Sequence, residues 1–146
     1  DEITEEKDLF ELGEVLMEFY DTLPYLNKKG ADLSRWVSTW LNFMSAGIGR
    51  VLGLWKDNKL VGGIGLLFTP SLEDGALLCS EAFWFVSSDS RGGGMKLFLK
   101  AEKLAEKAGA ERMTMVHLSN SMPEKLKSLY EKRGYREMET HYVKEF

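Results

Sequence analysis

Cysteine is almost missing from this sequence: Cys79 stands alone among 146 residues. No internal disulfide can form, which excludes the small disulfide-framed scaffolds of secreted proteins. Histidine is nearly as scarce, and His117, His141 and Cys79 have no metal-ligand spacing, so no metal site is expected. Long apolar runs are lacking too. The longest, residues 60–68 and 82–86, fall far short of the roughly 20 residues that cross a bilayer, and no membrane partner is expected. Residues 1–6 are acidic and do not follow the basic-then-apolar plan of a secretory leader. These features together point to a reducing, cytoplasmic setting. A basic excess is also absent: 19 Lys and Arg against 23 Asp and Glu give a net charge of −4. That balance argues against nucleic acid as the main partner. With no repeat, low-complexity tract or linker, residues 1–146 read as a single domain large enough to bury a core.

What is present begins with an uneven charge distribution. Residues 1–25 hold nine acidic side chains against the single Lys7, and the remainder is slightly basic. A solvated helix face accounts for such a run; a negative field that gathers a cationic amine is the sharper alternative. Thr4 is a candidate cap for a first helix with Leu9, Leu12, Leu16 and Phe19 on one stripe. Pro24 and residues 27–30 end it, and a second helix from about Asp32 aligns Trp36, Trp40 and Phe43 as core. Residues 49–56 and 59–69 are expected to be strands around an Asp57-Asn58 turn. Residues 76–86 form a third strand, whose apolar end suits burial on both faces. A helix with Leu97, Ala101, Leu104, Ala105 and Ala108 inward stops at Gly109, and residues 112–118 are a further strand. Ser121, Pro123 and Glu124 open a last helix that ends at Gly134, and residues 135–146 leave room for a hairpin of final strands. The order implies an α/β fold with a mixed sheet and helices on its faces.

The strongest chemical signal is strand, then Arg91-Gly92-Gly93-Gly94, then helix. Three glycines permit close backbone approach and positive φ. The helix start offers unpaired N–H groups and a partial positive charge suited to phosphate, and Arg91 can add a bidentate contact. No G-x-G-x-x-G or Walker A pattern accompanies them. Lys96, Lys100, Lys103 and Lys107 follow as a basic stripe interleaved with Glu102 and Glu106; this reads first as a solvated face, with a phosphate contact by Lys96 as the alternative.

Phe83-Trp84-Phe85-Val86 followed by Arg91-Gly92-Gly93-Gly94, and then Ser128-Leu129-Tyr130-Glu131-Lys132-Arg133-Gly134-Tyr135, resemble the two signatures of the Gcn5-related N-acetyltransferase (GNAT) family. The Glu-Ala-Phe-Trp-Phe-Val and Arg-Gly-Gly pieces are most similar to bacteriophage-type members. The resemblance implies a twisted, mostly antiparallel mixed sheet of six to seven strands with helices on both faces. It further implies acetyl-CoA as acyl donor, with no metal. Phe85 and Val86 would present backbone to pantetheine, Arg91, Gly92, Gly93, Gly94 and Met95 would cradle the diphosphate, and Tyr130 would protonate the departing thiolate. Two departures stand out: Lys96 falls where the family's loop has Gly or Ala, and Pro123 falls where many relatives carry a CoA-contacting Asn, with Asn120 three residues earlier.

Attack by an amine needs its free base. A lysine-like amine is uncharged in only about one molecule in a thousand at neutral pH, a deficit of roughly 4 kcal/mol, and a carboxylate near the acyl carbon supplies the base. Glu81 is the candidate; strict alternation puts it on the face of Phe83 and Phe85 unless a bulge intervenes. The expected acceptor is an amine on a small molecule or protein, and the chain a monomer or homodimer. Two other readings are a degenerate GNAT-fold binding module and a small nucleotide-binding protein, the latter opposed by the acidic balance.

Overall fold

The computed structural model describes residues 1–20, 30–116 and 122–146. The chain forms two compact units, Asp1–Thr114 and Met115–Phe146.

The first unit is built around a five-stranded sheet in the order β1-β2-β3-β4-β5. The strands are β1 (Glu2–Ile3), β2 (Gly49–Lys56), β3 (Lys59–Pro70), β4 (Leu77–Val86) and β5 (Arg112–Thr114). The first three junctions are antiparallel and the last is parallel. Asp57 and Asn58 take φ of 51° and 63°, which is the left-handed pair that closes a two-residue hairpin with the natural strand twist. Asn and Asp tolerate that region better than most residues, so the expected hairpin forms without a glycine.

Helices α1 (Glu6–Tyr20) and α2 (Leu33–Ser45) cover one face of this sheet, and α3 (Gly94–Lys107) covers the other. Alternation along β4 divides its aromatics between them. Phe83 meets Trp36 and Trp40 of α2, and Phe85 meets Phe19 of α1. Trp84 stacks on Phe98 of α3, 5.5 Å between ring centroids. β3 makes this crowding possible with glycine. A Cβ at Gly63 would press on Leu12 of α1, and one at Gly65 would run into Phe83 and Trp40. The missing side chains set how closely the helices approach the sheet.

Several expectations are corrected. The first bond of α1 runs from Leu9 N–H to the Glu5 carbonyl, so Glu5 holds the cap position proposed for Thr4. Asp32 does cap α2, its carboxylate accepting from the Arg35 N–H at 3.0 Å. On α3 the buried set is Leu97, Phe98, Ala101 and Ala105, while Ala108 is exposed. That choice turns the stripe toward Trp84, which stacks on Phe98.

In the second unit α4 (Pro123–Lys132) is preceded by Met122 in the left-handed conformation, φ 43°. With Met122 at the cap, Glu124 is one position too early for a capping box; Ser121 itself lies outside the described residues. The expected fifth strand stops at Thr114 rather than 118, residues 117–121 being outside the description, and residues 135–146 form no strand. The sheet among the described residues therefore has five strands, not six to seven. A strand exists only where a neighbour takes up its N–H and C=O groups. The second unit contributes no such neighbour among the described residues. No described helix is long and apolar enough to cross a membrane.

Replacing Gly65 by Ala should lower the stability of the chain by about 1–3 kcal/mol, because Phe83 and Trp40 are both held by further aromatic contacts. Urea denaturation checks this, and an unchanged midpoint would show that the aromatic layer gives way freely.

Candidate active site

β4 is paired with β3 along its whole length but with β5 only at Leu78, Cys79 and Ser80. Among the described residues the β5 ladder runs no further. From Ala82 to Val86 the β5 side of β4 carries no ladder with a described strand, and buried N–H and C=O groups are almost always paired. The five steps from Glu81 to Val86 span about 16 Å.

A bulge alters what this edge presents. Gly65 pairs with Phe83 and Leu66 with Glu81, so Ala82 is the extra residue. Residues paired across a ladder share a face, and one inserted residue reverses the alternation. Glu81 therefore lies on the face of Leu66, opposite Phe83, and not on the face that strict alternation gives. It is half-buried and is the first β4 residue past the end of the β5 pairing.

At the other end of this edge, β4 passes into a 3₁₀ turn over Ser88–Gly93 and then α3. Ser87 N–H donates to the Val61 carbonyl at 2.7 Å and Ser90 N–H to the Ser87 carbonyl at 2.9 Å. The cap residue Gly93 has helical angles, φ −74° and ψ −16°, and no side chain satisfies the helix start. The 3₁₀ turn that leads into α3 takes up the Gly94 N–H by its i→i+3 bonding, which leaves Met95 and Lys96 as the first-turn N–H groups without partners by helix geometry. Arg91 falls in the turn; its side chain is outside the described residues.

None of the three consecutive glycines takes a positive φ, which corrects one of the two reasons expected for them. Close approach is the reason that holds. A Cβ on Gly93 would collide with the Leu54 side chain of β2, and one on Gly94 would touch Val86 and Trp84 at 3.6 and 3.7 Å. Gly92 faces open space. Met95 is exposed, and Phe85 and Val86 point to opposite faces, toward Phe19 and toward Gly94.

Tyr130 belongs to the second unit. It is buried on α4, donates its O–H to the Val116 carbonyl at 2.8 Å, and lies 5.7 Å from the Tyr135 ring. Gly134, at φ 87°, turns the chain so that Tyr135 can reach back. The sequence thus brings Glu81, Phe85, Val86 and residues 91–95 onto one strand–turn–helix. Tyr130 is described only within its own unit. Sequence reasoning passed over Leu54 and Ser90, which line the back of the turn; only the three-dimensional approach of β2 identifies them. Asn120 and His117 lie outside the described residues.

Residues 13–135 match the model of the acetyltransferase (GNAT) family. No curated protein matches the sequence. Solved structures resemble it over its whole length. An aminoglycoside acetyltransferase from an uncultured soil metagenomic sample is 16% identical, with 96% of that chain covered and a TM-score of 0.76. A ribosomal-protein-alanine N-acetyltransferase from Brucella melitensis biovar Abortus 2308 is 20% identical, with 99% covered and a TM-score of 0.70. A transcriptional regulator from Bacillus halodurans C-125 is 21% identical, with 97% covered and a TM-score of 0.76. At these identities the likeness is one of fold. The bacteriophage-type affinity finds no support among these matches.

Cys79 is fully buried between Phe68 and Met113 in the sheet register, and burial pushes its thiol up from 9.0 to about 11. The unfolded chain releases this proton near its ordinary value and the folded chain holds it. The stability this gives is complete below pH 9 and is lost as pH climbs toward 11. At pH 8 an aromatic disulfide reagent should label the native thiol at least about 100-fold more slowly than the urea-unfolded thiol. Equal rates would refute the burial argument and reopen Cys79 as a nucleophile.

Proposed function

The chain belongs to the acetyltransferase (GNAT) family, and from that premise we propose that it transfers an acetyl group from acetyl-CoA to a primary amine by direct attack. Both units, as a single domain, serve this reaction; the family match runs across the two. The observation that carries the reading is the direct passage of β4, beyond the end of its described pairing with β5, into the glycine turn and α3.

An extended pantetheine arm is an amide chain of about the length of that edge. It can lie along β4 between Ala82 and Val86 as an added strand would, bonding to the backbone there. Its diphosphate then meets the turn at Gly92–Met95 and the positive end of α3, with Arg91 as counter-charge. This orientation brings the thioester to the Glu81 end. Glu81, directly or through one water, takes the proton from the attacking amine. The amine nitrogen bonds to the acyl carbon, the tetrahedral adduct collapses with breakage of the C–S bond, and the thiolate takes a proton from Tyr130. In this role the Tyr130 O–H turns from the Val116 carbonyl to sulfur, and solvent later restores the phenol. The acidic α1, with Glu6 and Asp8 in its first turn, favours a cationic amine on a small molecule or protein.

A second reading has one specific observation in its favour. The Tyr130 O–H is already satisfied by Val116, as a structural tyrosine's would be, and a degenerate GNAT-fold binding module would keep that bond.

Thermal-shift titration separates the two: saturable stabilisation by acetyl-CoA and by CoA is expected, and no shift at about millimolar ligand would favour the binding module. With an acceptor found by untargeted acetylation profiling, Tyr130→Phe should lower kcat by about 10²–10⁴-fold while leaving CoA affinity nearly unchanged. Intact turnover would remove Tyr130 as the acid. Glu81→Gln should flatten the rise of kcat/KM with pH, and an unaltered profile would remove Glu81 as the base.

A further inference from the structure

Ser80 and Thr114 are the last register pair of the β4–β5 ladder, and β5 itself ends at Thr114. Their Cα atoms stand opposite each other across a parallel junction, about 5 Å apart, and their side chains share one face of the sheet. It is the face of Leu67, the β3 partner of Ser80. Glu81, the next residue along β4, lies on the other face with Leu66. Two hydroxyls and a carboxylate therefore flank, from opposite faces, the point where the pairing of β4 with β5 stops.

Neither hydroxyl has a hydrogen-bond partner among the described residues. Both residues are half-buried, and neither oxygen is sealed in the interior as Trp36 Nε1 and Ser90 Oγ are, so both open onto space that a ligand can enter. Their position says which ligand atoms arrive there. β3 occupies one side of β4 throughout, so a pantetheine arm along Ala82–Val86 lies on the β5 side, in line with β5. Thr114 is the last β5 residue in that line, and the acyl end of the arm runs toward it. From the level of Glu81 to the hydroxyl pair is one residue step, about 3.3 Å. The preceding pair, Cys79 and Met113, carries no hydroxyl, so the donors stand only where the ladder ends.

We propose that the Ser80 and Thr114 hydroxyls form the oxyanion site of acyl transfer, an inference that rests on the acetyltransferase reading above. Both donate to the thioester carbonyl oxygen, the one good acceptor that the acetyl group carries, and two donors match its two lone pairs. As the amine nitrogen bonds to the carbonyl carbon, negative charge collects on that oxygen. Both hydrogen bonds then strengthen, because a charged acceptor roughly doubles them, and a gain made only in the transition state speeds the reaction. No proton passes to the oxygen; the carbonyl re-forms as the C–S bond breaks. Placing the donors on one face and Glu81 on the other keeps the carboxylate from repelling the charge that develops.

The test reads the bound thioester directly and needs no acceptor. Infrared difference spectra are taken of the whole chain with acetyl-CoA labelled with heavy carbon at the acetyl carbonyl. The carbonyl band should lie at lower frequency in the unaltered chain than in Ser80→Ala, Thr114→Val and their combination, while Thr114→Ser, which keeps a hydroxyl, should hold the original position. If the combined variant does not fold, the two single variants carry the comparison. With an acceptor in hand, Ser80→Ala and Thr114→Val should each lower kcat by about 10- to 100-fold, the size of one hydrogen bond to a charged group. Thermal stabilisation by CoA, which has no thioester, should stay unchanged in every variant and shows that each is folded. A band at one frequency throughout would overturn the proposal, and so would an unchanged kcat in both single variants. Either result leaves the acetyltransferase reading standing, whereas an unaltered chain that binds no acetyl-CoA removes both.

Discussion

The molecule's central constraint is the unequal pairing of β4. On the β3 side it is bonded for its full length; on the β5 side the ladder among the described residues covers three positions. A sheet gains from every ladder bond it completes, and a half-finished ladder beside a buried strand leaves costly backbone groups. The neighbouring features follow from managing that cost. β4 stays in place because its side chains are locked from both faces, Phe83 and Phe85 by the first two helices and Trp84 by Phe98. The rigidity that a third neighbour would have supplied by hydrogen bonding comes from aromatic packing. A strand held this way keeps its geometry without relying on a full second ladder.

Both bulges belong to the same arrangement. The extra residue at Ala82 turns Glu81 to the face opposite Phe83, so the carboxylate does not compete for space in the aromatic layer. The extra residue at Val61 releases the Leu60 N–H from the ladder, and Glu11 of α1 accepts it. That bond ties the acidic first helix to the sheet at the hairpin that faces the glycine turn. A single sheet irregularity thus ties the first helix to the sheet.

Local chemistry was readable in the residues. Asp57-Asn58 specified a hairpin, Asp32 the start of a helix, and the Leu9, Leu12, Leu16 stripe a buried helix face, because each depends on neighbours within a few positions. The candidate site was readable to the same extent: Glu81, Phe85, Val86 and residues 91–95 are contiguous, so finding the strand and the helix located them. What escaped depended on distant partners. The register slip at Ala82 arises between two strands and has no one-dimensional trace. The final strands expected after Tyr135 need a neighbour that residue pattern alone cannot supply. The chain's membership of its family likewise carries an expectation of more strands than the described residues form.

The glycine turn shows how the same residues can be right for a different reason. Three glycines in a row suggest a backbone bent into conformations closed to other residues, yet every one of them avoids positive φ. Gly93 is small because Leu54 occupies the space a side chain would need, whereas a Cβ at Gly94 would meet Val86 and Trp84 only at ordinary contact distance. The turn is thereby pressed onto the sheet, and α3 begins as soon as the 3₁₀ turn ends, with no intervening loop. Lys96 sits in the first turn of that helix and is exposed to solvent. The direct passage from strand to helix thus puts on a helix surface the position where the resemblance led one to expect a small loop residue.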